Sequence, residues 1–401
     1  MDVSESSSYR DFEWAIELNR LTLNWIGLWP KTNESTLKRI GPDIRVGFAF
    51  IMITFFFLIP LLYALTRVWG DMILMIDNLR VTLPMLSVLL KLFVMRWKQS
   101  IVLSIVNMIR EDWMTLKLHA ERDVMIKRMR TARLIVICAY VLTTFATTMV
   151  TIFPYFGLQF RRLTNLTDRD KPLPFQTYYF YDTDKNPQFQ LTYLTQVIAM
   201  FLVVIIYTSV DTFLGFVILH ICGQLENFRH RLVNLIVGKK FDKALRNNVA
   251  THLRLIRYVN NAEDIFTIMM LGSIIYFSII FCLSGFALIV VINNEKINAA
   301  NFAQICYMIM VIIIVFMQMF FYCYAGELIT EQWKAVYHAV YDREWYKWES
   351  RQAKNLIPLM MRVQQPCGIT AGKIVPLTMT TFCSVFKTSA GYISFLWAIL
   401  D

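Results

Sequence analysis

Charge is scarce in this sequence. Asp, Glu, Lys and Arg make up 17% of its 401 residues, against about 25% in an ordinary soluble domain. A soluble fold could hide the 56% of hydrophobic residues only behind a charged shell, and that shell is too small. Lipid is the alternative solvent. Signals for metal and thiol chemistry are missing as well. Cys138, Cys222, Cys282, Cys306, Cys323, Cys367 and Cys383 include no CxxC pair, which argues against a zinc site or a redox motif. Most lie in apolar runs, where a free thiol behaves as a small hydrophobe. There is no HExxH, no phosphate-binding loop and no nucleophile–base set. His119, His220, His230, His252 and His338 show no ligand spacing. Neither an enzyme nor a cofactor is expected. Internal repeats, low-complexity tracts and a detachable soluble domain are also lacking. Residues 1–20 are polar and mixed in charge, unlike a secretory signal, so the first apolar helix is expected to target the chain.

What is there is a series of long apolar segments. Crossing a bilayer takes about 20 mainly apolar residues, because backbone groups cannot stay unpaired in hydrocarbon. Seven segments qualify: Val46–Leu65, Met72–Val94, Leu134–Leu158, Leu191–Val210, Ile265–Ile292, Phe302–Ala325 and Ile374–Leu400. The second is the weakest, since it holds Asp77, Arg80 and Lys91. Asp77 and Arg80, three apart, are expected to pair. The expected fold is an all-α membrane protein with seven transmembrane helices.

The net charge of +11 points to topology rather than to nucleic acid, because long charge-free runs separate the basic clusters. Stretches 1–45, 96–133, 219–264 and 326–373 together hold 30 of the Lys and Arg residues, whereas 65–71, 159–190 and 293–301 hold seven. The positive-inside rule then puts the N-terminus in the cytosol and the C-terminus outside. Asn165, in a glycosylation sequon, falls on an expected outer stretch. Those outer stretches contain no Cys. A G-protein-coupled receptor has the opposite orientation and commonly an outer-loop disulfide, so that alternative is disfavoured. A transporter would show more polar breaks inside its spans.

The cytoplasmic segments read as helical. Leu225, Phe228, Leu232 and Leu235 recur at three- and four-residue spacing, and Leu245, Val249, Leu253 and Ile256 follow after Gly238. Two readings remain open, a hairpin packed on its own neighbours and a packing surface between subunits. Residues 327–350 look like a continuation of the sixth span. A short helix is expected over 351–364, before a break at Pro366, Gly368, Gly372 and Pro376. Trp14, Leu18, Leu21 and Trp25 share one face of an N-terminal helix, which suits an interfacial anchor or an ordinary packed helix.

The seventh span carries the most specific pattern. At about 100° per residue, Ser384, Thr388, Gly391, Phe395 and Ile399 fall within about 40° of one line, with Lys387 about 80° to the side. A Lys at mid-membrane costs about 2.5–3.5 kcal/mol on insertion scales, so Lys387 must reach water, a partner or the protein interior. Arranged around an axis, this face makes a wettable conduit closed by Phe395 and Ile399, a gate that works by dewetting. A Ser/Thr/Gly face is equally ordinary helix packing.

Lys373-Ile374-Val375-Pro376-Leu377-Thr378-Met379-Thr380-Thr381-Phe382 resembles the start of the seventh span in insect odorant receptors, and Lys387-Thr388-Ser389-Ala390-Gly391-Tyr392 continues that pattern. Pro174-Phe175-Gln176-Thr177-Tyr178-Tyr179-Phe180 is also family-like. The chain is most similar to tuning receptors of hymenopteran type. It lacks the Gln-Phe pair usual in span seven of insect gustatory receptors, and the long second cytoplasmic insertion of the odorant co-receptor. The resemblance implies an odorant-gated, non-selective cation channel in the plasma membrane of olfactory sensory neurons. Its implied partners are the odorant co-receptor in a heterotetramer, a small volatile organic ligand, membrane lipid and permeating cations. It implies four regions: a cytoplasmic segment 1–45, spans one to six over 46–325, a cytoplasmic anchor over 326–373 and a pore-lining span over 374–401. The family's gate maps onto Phe395 and Ile399, although smaller aliphatics are commoner at the first position, and a usual polar position falls at Ala398. The family's ligand pocket, in the outer half of spans two to six, maps onto Met75, Leu79, Thr147, Thr151, Phe153, Tyr193, Met200, Tyr307, Met308 and Val311. Each of these also suits an ordinary core.

Overall fold

The computed structural model describes residues 5–30, 36–115, 118–152, 173–175, 177–234, 241–294, 299–342, 345–365 and 367–400. It is built from helices: α1 Glu5–Ile26, α2 Thr36–Ile53, α3 Ile59–Arg67, α4 Met72–Trp97, α5 Gln99–Thr115, α6 His119–Ile152, α7 Gln188–Val233, α8 Phe241–Asn294, α9 Ala299–Tyr341, α10 Ser350–Gln364 and α11 Met379–Leu400. Among the described residues, six helices are long and apolar enough to cross a membrane: Ile40–Arg67, Met72–Trp97, His119–Ile152, Gln188–Val233, Phe241–Ile292 and Ile305–Lys347.

Helices α6 to α9 continue well beyond their apolar parts, because amphipathic stripes follow the apolar runs without a breaker. The two stripes expected after residue 219 are the C-terminal part of α7, through Leu232, and the N-terminal part of α8, while Leu235 lies outside the described residues. Two sequence boundaries need correction. The sixth-span continuation stops at Tyr341 rather than 350, and a 3₁₀ turn follows at Trp345–Lys347. The last helix starts at Met379, five residues later than Ile374. Residues Thr370–Ala371 and Val375–Pro376 pair instead as a small antiparallel hairpin, because Gly372 and Lys373 turn the chain at φ 64° and 60°. The expected end of the third span, 153–158, lies outside the described residues.

Proline shapes the first crossing. Pro60 has no N–H to offer the carbonyl of Phe56, one turn back. The helix widens into a π turn at Thr54–Leu58, and the Tyr179 hydroxyl donates to the Phe56 carbonyl at 3.1 Å. In α4, Asp71 caps the first turn by accepting from the Ile73 and Leu74 amides, both at 3.1 Å.

A charged layer made of α1, α5, α10 and the ends of α6 to α9 sits at one end of the bundle. Arg231 grips Glu121 through two bonds of 2.6 and 2.7 Å. Arg122 grips Asp11 at 2.6 and 3.1 Å. Asp112 takes His220 at 3.0 Å and Arg254 at 2.8 Å. Helix α1 buries Phe12, Ile16, Leu23 and Ile26 and turns Leu21 and Trp25 outward. His252 stacks between Phe228 and Trp333, with centroids 5.7 and 5.1 Å away. Burial, helped by Arg362, pushes its imidazole down to about 4.

His252 is therefore neutral in the fold, while the unfolded chain binds its proton near the ordinary 6.5. Stability should be unaffected above that value and fall as pH drops from about 6.5 toward 4. Thermal unfolding of the detergent-solubilised chain at pH 7.5 and 5 checks this. His252→Phe should shrink the difference, and an unchanged difference would assign the acid sensitivity elsewhere.

Candidate functional site

Two features stand out in the membrane part: a buried polar lattice and an unpacked face on the last helix. The lattice begins with Lys91 of α4, whose side chain is 0% exposed. Its ammonium donates to Asp211 Oδ1 of α7 at 2.6 Å and to the Tyr322 hydroxyl of α9 at 3.1 Å. It also stands 3.3 Å from the ring centroid of Tyr207, a close cation–π contact. Gln318 Nε2 donates to Asp211 Oδ2 at 3.1 Å. The Tyr276 hydroxyl of α8 joins Gln318 Oε1 at 3.4 Å and the Tyr207 hydroxyl at 2.7 Å.

Helix lengths set these groups at one level. Lys91, Tyr207 and Gln318 each lie 19 residues from the first residue of α4, α7 and α9, and Tyr276 lies 18 from the last residue of α8. At about 1.5 Å per residue that is about 28 Å, close to the thickness of a bilayer's hydrocarbon core. The lattice thus clamps four helices where apolar crossing gives way to charged extension. Sequence reading marked Lys91 only as a flaw in the second span and missed Asp211, which sits just past the fourth. Two opposite charges on separate apolar runs were the available signal.

The expected Asp77–Arg80 pair forms, at 2.9 Å. Of the ten expected pocket residues, Thr147, Thr151 and Met308 are buried. Met75, Leu79, Tyr193, Met200, Tyr307 and Val311 are partly buried, and Phe153 lies outside the described residues. The Thr147 and Thr151 hydroxyls turn back to their own helix, donating to the carbonyls of Thr143 at 2.8 Å and Thr147 at 2.7 Å. Tyr193 donates to the Thr151 carbonyl, joining α7 to α6. Met308 packs with Ile76, Phe286, Ala287 and Val291 in a small cluster between α4, α8 and α9, while Met200 and Val311 join the main core. A cleft of about 670 Å³ opens elsewhere, in the charged layer between Glu121, Asn227, Arg231 and Asn248. Asn165 lies outside the described residues.

Helix α11 is fixed firmly at its start. Gly372 N donates to the Thr267 carbonyl at 2.9 Å, and Met379 N donates to Glu327 Oε2 at 3.1 Å. At Gly326 a Cβ would meet the Leu377 carbonyl oxygen at 2.3 Å, so only glycine lets α9 approach this segment. Farther along, Phe382 packs on Phe316 and Phe320 at 5.0 and 5.8 Å, and Phe386 on Phe281 and Phe316 at 5.3 and 5.7 Å. Ser384, Lys387, Thr388 and Gly391 are exposed, and Phe395 is 63% exposed. Ile399 belongs to the same helix.

These features define a multi-pass helical membrane protein with an internally clamped bundle and one laterally held helix. The chain belongs to the seven-transmembrane odorant receptor family, whose model (7tm Odorant receptor) matches residues 71–390. That family is a class of receptors, not enzymes. Odorant receptor 13a of Drosophila melanogaster is 23% identical over 58% of this chain, and odorant receptor 10 of Aedes albopictus 26% identical over 54%. The matched part spans 58% and 57% of those two relatives. The fold is similar to that of the olfactory receptor OR5 from Machilis hrabei in complex with eugenol, with a TM-score of 0.80 at 15% identity over 98% of this chain and 99% of that one.

Removing one member of a buried ion pair typically costs about 3–5 kcal/mol, whereas replacing both by apolar groups is often nearly neutral. Lys91→Met alone should therefore abolish surface expression of folded protein, and adding Asp211→Leu should restore most of it. Fluorescence-detected gel filtration measures both. Equal loss in single and double variants would mean that the pair itself is not the clamp.

Proposed function

We propose that this chain is a tuning subunit of an odorant-gated, non-selective cation channel that assembles with the odorant co-receptor as a heterotetramer. One observation carries the reading. The Ser384, Thr388, Gly391 and Phe395 face of α11 is left unpacked by its own chain, while Phe382 and Phe386 hold the other side. In this reading α11 is a seventh span, the N-terminus is cytosolic, and the exposed face lines an aqueous axis closed by Phe395 and Ile399. The charge asymmetry supports that orientation. Residues 1–45 and 326–373 then lie in the cytosol, the latter as the anchor segment, and 46–325 carry spans one to six. Membrane lipid surrounds the bundle.

The ligand is a small volatile organic molecule held between the outer halves of spans two to six by Met75, Leu79, Thr147, Thr151, Phe153, Tyr193, Met200, Tyr307, Met308 and Val311. Methionine and aromatic side chains adapt to varied apolar shapes, and the eugenol bound by OR5 is a small aromatic molecule of that kind. The ligand opens the channel by binding the open state better than the closed one. Asn165, outside by this orientation, is the expected glycan acceptor. Membership in the odorant receptor family supports an olfactory neuron as the site of expression.

Voltage clamp tests the whole reading in cells carrying this chain with and without the co-receptor, over an odorant panel, with G-protein signalling blocked. Rapid current requiring both chains is expected. Responses that vanish with the G protein would support a G-protein-coupled receptor instead. Phe395→Ala should raise the resting current without odorant, and a resting current unchanged by that substitution would remove Phe395 from the gate. A tag at residue 1 should be inaccessible in unbroken cells.

A further inference from the structure

The lattice around Lys91 has a direction, and its direction leaves two groups unfilled. The Tyr276 hydroxyl has a single proton and lies 3.4 Å from Gln318 Oε1, which can only accept. Tyr276 therefore gives that proton to Gln318. The 2.7 Å contact between the two tyrosine hydroxyls then takes its proton from Tyr207. Gln318 is oriented by the carboxylate of Asp211, which accepts from Nε2. Each link follows from the one before, ending at the ammonium of Lys91.

Two capacities remain after this assignment. The Tyr207 oxygen has two lone pairs, of which the neighbouring Tyr322 hydroxyl takes at most one, and Gln318 Nε2 still has a second proton. The rest of the lattice is closed off: Lys91, Tyr276 and Tyr322 are buried, whereas Tyr207 and Gln318 are only partly buried. The two residues with spare hydrogen-bonding capacity are thus the two that keep accessible surface. They stand at the inner end of the expected ligand region, about 10 Å along their helices from two of its residues. Met200 lies seven residues from Tyr207 on α7, and Val311 seven from Gln318 on α9. Seven residues is about two turns, so each pair shares one helix face.

We propose that Tyr207 and Gln318 form the polar end of the ligand site and select molecules bearing a hydroxyl group, alcohols or phenols. This inference rests on the proposed ligand-gated function. A hydroxyl donates its proton to the Tyr207 oxygen and accepts one from Gln318 Nε2, which fills both capacities at once. An ether of the same skeleton can only accept, and an alkane does neither, leaving buried polar groups unpaired. The apolar remainder of the ligand lies along Met200 and Val311. Lys91 and Asp211 act as positioning residues, since they fix the orientation of the Gln318 amide and of the Tyr207 ring.

The test uses the full chain with the co-receptor and three probes of matched length: a straight-chain primary alcohol, its methyl ether and the alkane. Tyr207→Phe keeps the ring beneath Lys91 and removes only the hydroxyl, and Gln318→Met keeps the volume and removes the amide. In each variant the half-maximal concentration for the alcohol should rise about fivefold, the size of one net hydrogen bond. The alkane value should stay within about twofold in both variants, and the ether value in Tyr207→Phe only, because the ether also accepts from Gln318 Nε2 and should shift with the alcohol in Gln318→Met. The alkane current doubles as the check that each variant folds and gates. Equal shifts for all three probes would make both residues structural only, and no shift would mean that water already satisfies them; either result overturns the proposal. A wild-type channel that responds but does not prefer the alcohol overturns it too, leaving the channel function intact. A wild-type chain that gives no ligand-evoked current with its co-receptor defeats the function itself and this inference with it.

Discussion

An ammonium and a carboxylate cannot sit apart in hydrocarbon, and that constraint organises this bundle. Lys91 and Asp211 come from helices 120 residues apart in the chain and must meet wherever the fold places them. Gln318, Tyr207, Tyr276 and Tyr322 then absorb the remaining lone pairs and protons, so α4, α7, α8 and α9 are registered to one another at a single level. Apolar packing alone would not do this, since side chains in lipid gain little by exchanging lipid for protein. Polar groups supply the register that hydrophobicity cannot.

The charged layer below works on a different principle. There the helices have water on one side, and their amphipathic stripes bury a conventional core. The bidentate Arg231–Glu121 and Arg122–Asp11 pairs join segments distant in sequence at its rim. Such partly exposed pairs contribute modestly, and the apolar stripes beneath them carry most of the stability. The long continuous helices α7, α8 and α9 run through both layers.

Sequence made the membrane character legible because apolar run length is a one-dimensional property. The helical extensions were legible for the same reason: Leu225, Phe228 and Leu232 carry their periodicity locally. The start of α11 was not, because Ile374 and Val375 look as apolar as a span, and only the turn at Gly372 and Lys373, held by Thr267 of α8, places them in a hairpin. The lattice was illegible for a related reason. The role of Lys91 depends on a partner in another helix, and no periodicity announces which helices are neighbours. The pocket assignments were the least determinable part. The Thr147 and Thr151 hydroxyls, good candidates for holding a ligand, turn back onto their own helix, a choice that residue type does not settle.

On the proposed reading, the energetics favour a softly held α11. A small odorant buries a few methylene groups, each worth about 0.8 kcal/mol, and only the difference in its affinity between closed and open states can do work. Breaking the Lys91–Asp211 pair would cost about 3–5 kcal/mol, as much as that whole supply. The lattice must therefore stay intact through gating and act as a fulcrum. Beyond its first turn, α11 is held mainly by aromatic edges, Phe382 and Phe386 against Phe281, Phe316 and Phe320. Such pairs are each worth about 0.5–1.5 kcal/mol beyond the area they bury, within reach of a small ligand's differential binding. A firm clamp beside a lightly seated helix is the arrangement in which so little ligand energy suffices to move Phe395.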